Sequence, residues 1–156
     1  MLAIETYFWL KSVHVIAAVM WVGGGVMLTL LGLMTLAERD PARMAQFARQ
    51  VSFLGGRYFP PLSLMVVGFG FWMVENGDLG YDATWLQIGI GGWIASFAVG
   101  AGYLGPHSTK LARLLEQRPP EDAEVQALIR RILLVARLDA LLLLFIVFDM
   151  TAKPWS

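Results

Sequence analysis

The sequence contains no cysteine, only two histidines and no excess of charge of either sign. Without cysteine there is no disulfide framework and no thiolate metal site. The 12 basic and 12 acidic residues balance, and no basic surface of the kind that nucleic acids require is evident, so no nucleic-acid partner is expected. Phosphate-binding loops, nucleophile elbows, dinucleotide fingerprints and histidine pairs four residues apart are absent. Whether the protein is an enzyme is left open.

Hydrophobic residues are abundant, at 57% of the chain, whereas a soluble domain has about 45–50%. They form four runs, each near the roughly 20 residues that span a bilayer, at about residues 7–36, 58–74, 85–104 and 132–150. The first run is too long for a cleaved signal peptide and begins after Glu5 instead of a basic segment. We therefore predict a single integral membrane domain over residues 1–156, an all-α up-down bundle of four transmembrane helices in contact with lipid.

Two of the connections are predicted to be helical. In DPARMAQFARQV, Asp40 can cap a helix and Pro41 suits its first position. The apolar residues that follow at helical spacing are Met44, Phe47, Ala48 and Val51. This pattern predicts a short amphipathic helix on the cytoplasmic membrane surface. After Pro119 and Pro120 no helix breaker occurs before the fourth run ends, which predicts one long helix.

Basic residues are concentrated in two of the three connections. Apart from Lys11 and Lys153, they are Arg39, Arg43, Arg49, Arg57, Lys110, Arg113, Arg118, Arg130, Arg131 and Arg137. The remaining connection contains Glu75, Asp78 and Asp82 and no basic residue. Because cytoplasmic loops are rich in Lys and Arg, we predict a multi-pass protein of the bacterial inner membrane with periplasmic N- and C-termini.

Small residues form a stripe along the third run. Gly92, Ser96 and Gly100 are spaced four residues apart. Such stripes allow two helices to pack closely in lipid, so a tight helix–helix seam is predicted. Space for a flat cofactor is the alternative interpretation.

His14 lies within an apolar segment, SVHVIAAVMWVGGG, about seven residues into the first run. That position is on the order of 10 Å deep. Trp21 and several small residues share its helical face. The residues at similar depth on the other three runs are Gly68, Gly91 or Gly92, and Leu142.

A histidine that faces glycines is typical of a haem pocket in a helical bundle. We therefore predict a b-type haem site with His14 as the iron ligand and with Trp21, Gly68 and Gly92 around the cofactor. The alternative is that His14 forms a hydrogen bond to a neighbouring helix or to an interfacial water.

His107 follows Gly105 and Pro106 at the opposite end of the third run. The two histidines are therefore too far apart to bind one haem iron together. A second iron ligand would have to be Met65, Met73 or Met150, or the sixth position would stay open.

Asp139 is a polar residue inside the fourth run. An aspartate at membrane depth is costly and tends to face the interior or to pair with another group. We predict either a structural pairing with Arg57 or Tyr58, or a place on a proton or ion path.

The segment KSVHVIAAVMWVGGG resembles the first-helix motif of a bacterial membrane superfamily, in which a histidine is followed by a tryptophan seven residues later and by glycine. That superfamily includes copper-resistance D-type proteins and J-type protoporphyrinogen oxidases. The ending FDMTAKP resembles families of predicted integral membrane proteins of unknown function. The resemblance to the oxidases implies that His14 is linked to haem. The third run has no internal lysine to match the oxidases' other essential basic residue, which argues against protoporphyrinogen oxidation.

Three functional hypotheses follow. The first is haem binding through His14 for electron transfer or haem handling. The second is a non-catalytic accessory subunit that docks on a larger membrane protein complex or forms a homo-oligomer. The third is transport of a metal or small solute past Asp139.

Overall fold

The computed structural model describes residues 2–38, 40–77 and 80–154, with side chains from residue 5 onward. These ranges are helical and contain no strand, so the all-α prediction is confirmed. The helices are α1 (Leu2–Glu38), α2 (Pro41–Arg57), α3 (Phe59–Asn76), α4 (Thr84–Val99), α5 (Gly105–Gln117) and α6 (Ala123–Ala152). Arg39 and Asp78, which belong to the charge pattern, lie outside the described residues.

The helix starts follow the capping residues in the sequence. The Asp40 carboxylate accepts a hydrogen bond from the Ala42 backbone at 2.9 Å, and Pro41 is the first residue of α2, as predicted. Asp122 caps α6 in the same way through the Glu124 backbone at 2.8 Å. From there α6 runs unbroken for 30 residues, which confirms the predicted long helix.

A π-helical turn at Gly100–Leu104 joins α4 to α5. Pro106 has no N–H group, and in a regular α-helix its ring would clash with the carbonyl four residues earlier. The wider turn, closed by the hydrogen bond from Gly105 N–H to Gly100 O, absorbs this conflict. The third apolar run suggested that the helix ends near residue 104. Because of the π-helical turn, the helix continues to Gln117 instead.

The amphipathic helix α2 is present, but it does not lie alone on a surface. Its buried residues Met44 and Ala48 are turned toward the protein, and α2 packs against α5. Met44 forms a cluster with Val125 and Ile129 of α6, bordered by leucines of α1, α5 and α6. The amphipathic character is confirmed, and α5 supplies the apolar face against which α2 packs.

The centre of the bundle is a cluster of Ala17, Trp21, Leu62 and Leu143. It joins α1 to α3 and α6, and α4 packs along α6. On α4, Gly92 faces Ile146 of α6 so closely that a Cβ at residue 92 would lie 2.7 Å from that side chain. This contact confirms the predicted seam at Gly92, whereas Ser96 and Gly100 line a cavity between the helices.

Three continuous stretches are long and apolar enough to cross a membrane by length and composition: Glu5–Glu38, Pro41–Asn76 and Thr84–Gln117. Within the described part of the chain, α6 is not among them. The apolar part of α6 contains Arg137, Asp139 and Asp149, and these charges reduce its resemblance to a simple membrane span.

Candidate functional site

His14 is half-buried on α1, and its Nδ1 lies 2.7 Å from the Val66 carbonyl oxygen of α3. A carbonyl oxygen can only accept, so Nδ1 carries the hydrogen and donates it. In the neutral imidazole, Nε2 is then the nitrogen with a free lone pair. The inter-helix hydrogen bond of the alternative interpretation is therefore present, and it leaves one nitrogen able to bind a metal.

The glycine that faces His14 is Gly70. A Cβ at residue 70 would lie 3.2 Å from the Cε1 atom of His14, whereas a Cβ at Gly68 would have no atom within 4 Å. Residues two positions apart lie on nearly opposite sides of an α-helix. Since Val66 and Gly70 face α1, Gly68 points away from His14.

Trp21 and Gly92 pack against residues other than His14. Trp21 is 7% exposed and packs in the central cluster with Leu62 and Leu143. Gly92 belongs to the seam between α4 and α6. The structure therefore does not gather Trp21, Gly68 and Gly92 around His14. The imidazole fits the role of a single iron ligand, but these residues do not form the expected cradle for a porphyrin.

The other candidate ligands lie elsewhere. His107 is in α5, where its Nδ1 donates to the Tyr103 carbonyl at 2.8 Å and its ring stacks on Tyr103. Met65 is exposed, and Met150 packs onto Gly89 of α4. In the residues that the structure describes, no group of three or more His, Asp or Glu side chains could hold a metal ion.

A cavity of about 160 Å³ lies at the centre of the bundle and is lined by residues of all six helices and of the π-helical turn. Most of its wall is carbon. Its polar side chains are Thr29, Ser63, Ser96, Ser108 and Asp139. The three serines are buried, and Trp93 Nε1 donates to Ser63 Oγ at 2.8 Å.

Asp139 lies in this cavity wall, and its Oδ1 is buried without a hydrogen-bond partner among the described residues. The Ser96 hydroxyl lies beside the carboxyl group. The predicted partners interact elsewhere: the Arg57 guanidinium lies over the Phe53 ring, and Tyr58 packs edge-on against Phe59. The prediction that Asp139 faces the interior is confirmed, and its pairing with Arg57 or Tyr58 is wrong.

No pattern in the sequence predicts this cavity. Ser63 and Ser96 are the only serine or threonine residues in the second and third apolar runs. Polar residues at such positions commonly form contacts between helices. These two serines and Asp139 are the residues in the sequence that could have indicated a polar site, although nothing in the sequence shows that they converge.

Asp149 is the most deeply buried charged residue in the described part of the chain, at 0% exposure, and neither of its carboxylate oxygens has a hydrogen-bond partner. One helical turn further along, the Lys153 ammonium lies 4.2 Å above the Trp85 ring. A buried carboxylate without hydrogen bonds destabilises the folded state.

Replacing Asp149 with asparagine is therefore expected to stabilise the protein by about 1 kcal/mol, because a neutral amide is less costly to bury than a carboxylate. Unfolding in mild detergent, followed by the loss of helical circular dichroism, measures the change. Asp82→Asn, at an exposed loop position, is the matched control and is expected to change little. Destabilisation by Asp149→Asn would contradict the expected cost of burying this carboxylate.

These features together indicate the class of protein to which the chain belongs. The chain has long apolar helices, it exposes large apolar side chains such as Trp9, Met27 and Ile94 on their outer faces, and it places hydroxyl and carboxyl groups inside. It is an integral membrane protein.

The chain belongs to the family described as predicted integral membrane protein (DUF2269), whose model matches residues 8–154. The resemblance to uncharacterised membrane families is thereby confirmed, and this match adds no support for the wider link to the oxidase superfamily. Comparisons with curated proteins and with solved structures gave no match.

Proposed function

We propose that this protein spans the bacterial inner membrane four times, with both termini in the periplasm, and binds a b-type haem through His14 for electron transfer or haem handling. The observation that carries the proposal is the hydrogen bond from His14 Nδ1 to the Val66 carbonyl. Metal-binding histidines commonly donate their other ring N–H to a carbonyl or carboxylate, which fixes the ring and directs the free nitrogen.

The packing of α6 supports its assignment as the fourth span. Residues 132–150 would extend about 30 Å, which is the thickness of the hydrocarbon core. Asp149 is buried and Asp139 lines the central cavity, so neither carboxylate needs to face lipid. Leu134, Leu138 and Leu141 are exposed on this helix, as expected for a surface in contact with acyl chains.

The distribution of charge supports the orientation. Arg43 and Arg49 lie in α2, and Lys110 and Arg113 lie in α5, which packs against α2. The connection after α3 contains Asp82, and there the Tyr81 hydroxyl donates to Glu75 at 2.6 Å. This hydrogen bond to a carboxylate raises the pKa of Tyr81. The basic end would face the cytoplasm.

In this proposal His14 would hold the haem iron, and the Val66 carbonyl would keep the imidazole in one tautomer and one orientation. The haem would supply one-electron chemistry when bound. Gly70 leaves the space that the ring occupies, since a Cβ there would crowd it. The resemblance of the first helix to the haem-linked oxidases also supports this role.

The test is a reduced-minus-oxidised absorption spectrum of protein purified in mild detergent from cells with ample haem. We expect a b-type signal near one haem per chain, and we expect His14→Ala to remove it. His107→Ala is the matched control and should keep the full signal, because His107 lies on α5 with its ring stacked on Tyr103. Haem retained by a folded His14→Ala variant would rule out the assigned ligand.

A colourless but well-folded protein would also overturn the haem proposal and would favour the accessory-subunit hypothesis. The measurement that separates the two is native mass in the same detergent. A stable assembly much larger than the 17.3 kDa chain, without a chromophore, is the result that an accessory subunit predicts.

A further inference from the structure

The size of the central cavity favours a small occupant. Its volume of about 160 Å³ compares with about 300–1,000 Å³ for ordinary ligand pockets. An apolar protein cavity of about 150 Å³ binds benzene. The occupant that fits is therefore a molecule of about one small ring or a short branched chain.

The chemistry of the wall restricts this occupant further. Asp139 is the only carboxylate among the described lining residues, and its buried Oδ1 lacks a hydrogen-bond donor. Arg57 interacts with Phe53 instead, and among the described residues no basic side chain pairs with this carboxylate. A cationic hydrogen-bond donor would satisfy both its charge and its empty oxygen.

Aromatic side chains complete the wall. Trp21, Phe59 and Phe97 all line the cavity. The faces of such rings attract cations, and their carbon surfaces suit an apolar body. Ca²⁺ and Mg²⁺, in contrast, take six or more oxygen ligands, and the mostly carbon wall does not resemble such a site.

We infer that the central cavity binds a small organic ammonium ion, with its charged nitrogen at Asp139 and its apolar body against Trp21 and Phe97. The neighbouring hydroxyl of Ser96 would receive a second hydrogen from the nitrogen. This inference does not depend on haem binding, because His14 does not line the cavity.

The test is isothermal titration of the purified protein in mild detergent with benzylammonium chloride as the probe and with blank micelles subtracted. We expect saturable binding with one site per chain. Asp139→Asn is expected to weaken the binding at least tenfold, whereas Asp82→Asn, in the exposed loop, should bind as the wild type does. Benzyl alcohol, which has nearly the same shape but no charge, should also bind at least tenfold more weakly.

A second variant keeps the test valid if Asp139→Asn does not fold. Ala136→Leu adds bulk to the cavity wall and keeps the carboxylate, so it should abolish binding of benzylammonium. Absence of saturable binding to the wild type, equal affinity for benzyl alcohol, or unchanged affinity in either cavity variant would each overturn the inference.

Discussion

Replacing Trp21 with alanine is expected to lower the free energy of unfolding by about 3–5 kcal/mol, the usual cost of removing a buried aromatic side chain. Trp21 is 7% exposed and packs on Ala17, Leu62 and Leu143 in the central cluster. Because helices in lipid associate through close packing at such contacts, the cavity left by the indole would loosen α1, α3 and α6 at once. The measurement is unfolding of the purified protein by titration with a denaturing detergent.

Trp72→Ala is the matched control for this experiment. Trp72 is 53% exposed on α3, so the same substitution there removes few protein contacts and should cost well under 1 kcal/mol. Equal effects of the two variants would contradict the central position of Trp21. Protein prepared without haem is used for both variants, so that a loss of stability reports packing alone.

Gly92→Leu is expected to destabilise the protein by about 1–3 kcal/mol, the typical cost of inserting bulk into a packed seam. A Cβ at residue 92 already lies 2.7 Å from Ile146, and a leucine would force α4 away from α6. Thermal unfolding in mild detergent, followed by circular dichroism, measures the difference. A second readout is protease sensitivity of the loop before α4, which should rise if the two helices separate.

Gly91→Leu provides a closely matched control. A Cβ at residue 91 has no atom within 4 Å, and the residue is exposed. Both substitutions give the same gain in helix propensity, which therefore cancels in the comparison. If Gly91→Leu were as destabilising as Gly92→Leu, the seam would lie on a different face of α4.

The helices and their capped starts could be predicted because they depend on local sequence. Long apolar runs specify helices in lipid, and Asp40 and Pro41 mark a helix start that the structure confirms. The π-helical turn before Pro106 was not predictable in the same way. Proline normally indicates a helix boundary, and the packing of this turn against α2 and α6 is tertiary and cannot be read from local sequence.

The depth of the candidate site could be predicted from the sequence, but the residues that surround His14 could not. Counting residues placed Gly68 level with His14, within one helical turn of Gly70, which is the true neighbour. Depth follows from the rise per residue, whereas the face depends on how α3 is rotated about its axis. The hydrogen-bond partner of His14 is a backbone carbonyl, and every residue type provides that group, so no sequence pattern could reveal it.

The π-helical turn also decides which hydroxyl groups share the central cavity. Ser96 and Ser108 are 12 positions apart, and in an unbroken α-helix their directions would differ by about 120°. The π-helical turn accommodates one extra residue. The two serines are therefore oriented as if they were 11 positions apart in an α-helix, and the angle between their directions falls to about 20°. One inserted residue thus brings two distant serines into phase along a single line. Converting the turn to regular α-helix without removing a residue would send Ser108 to another side of the rod.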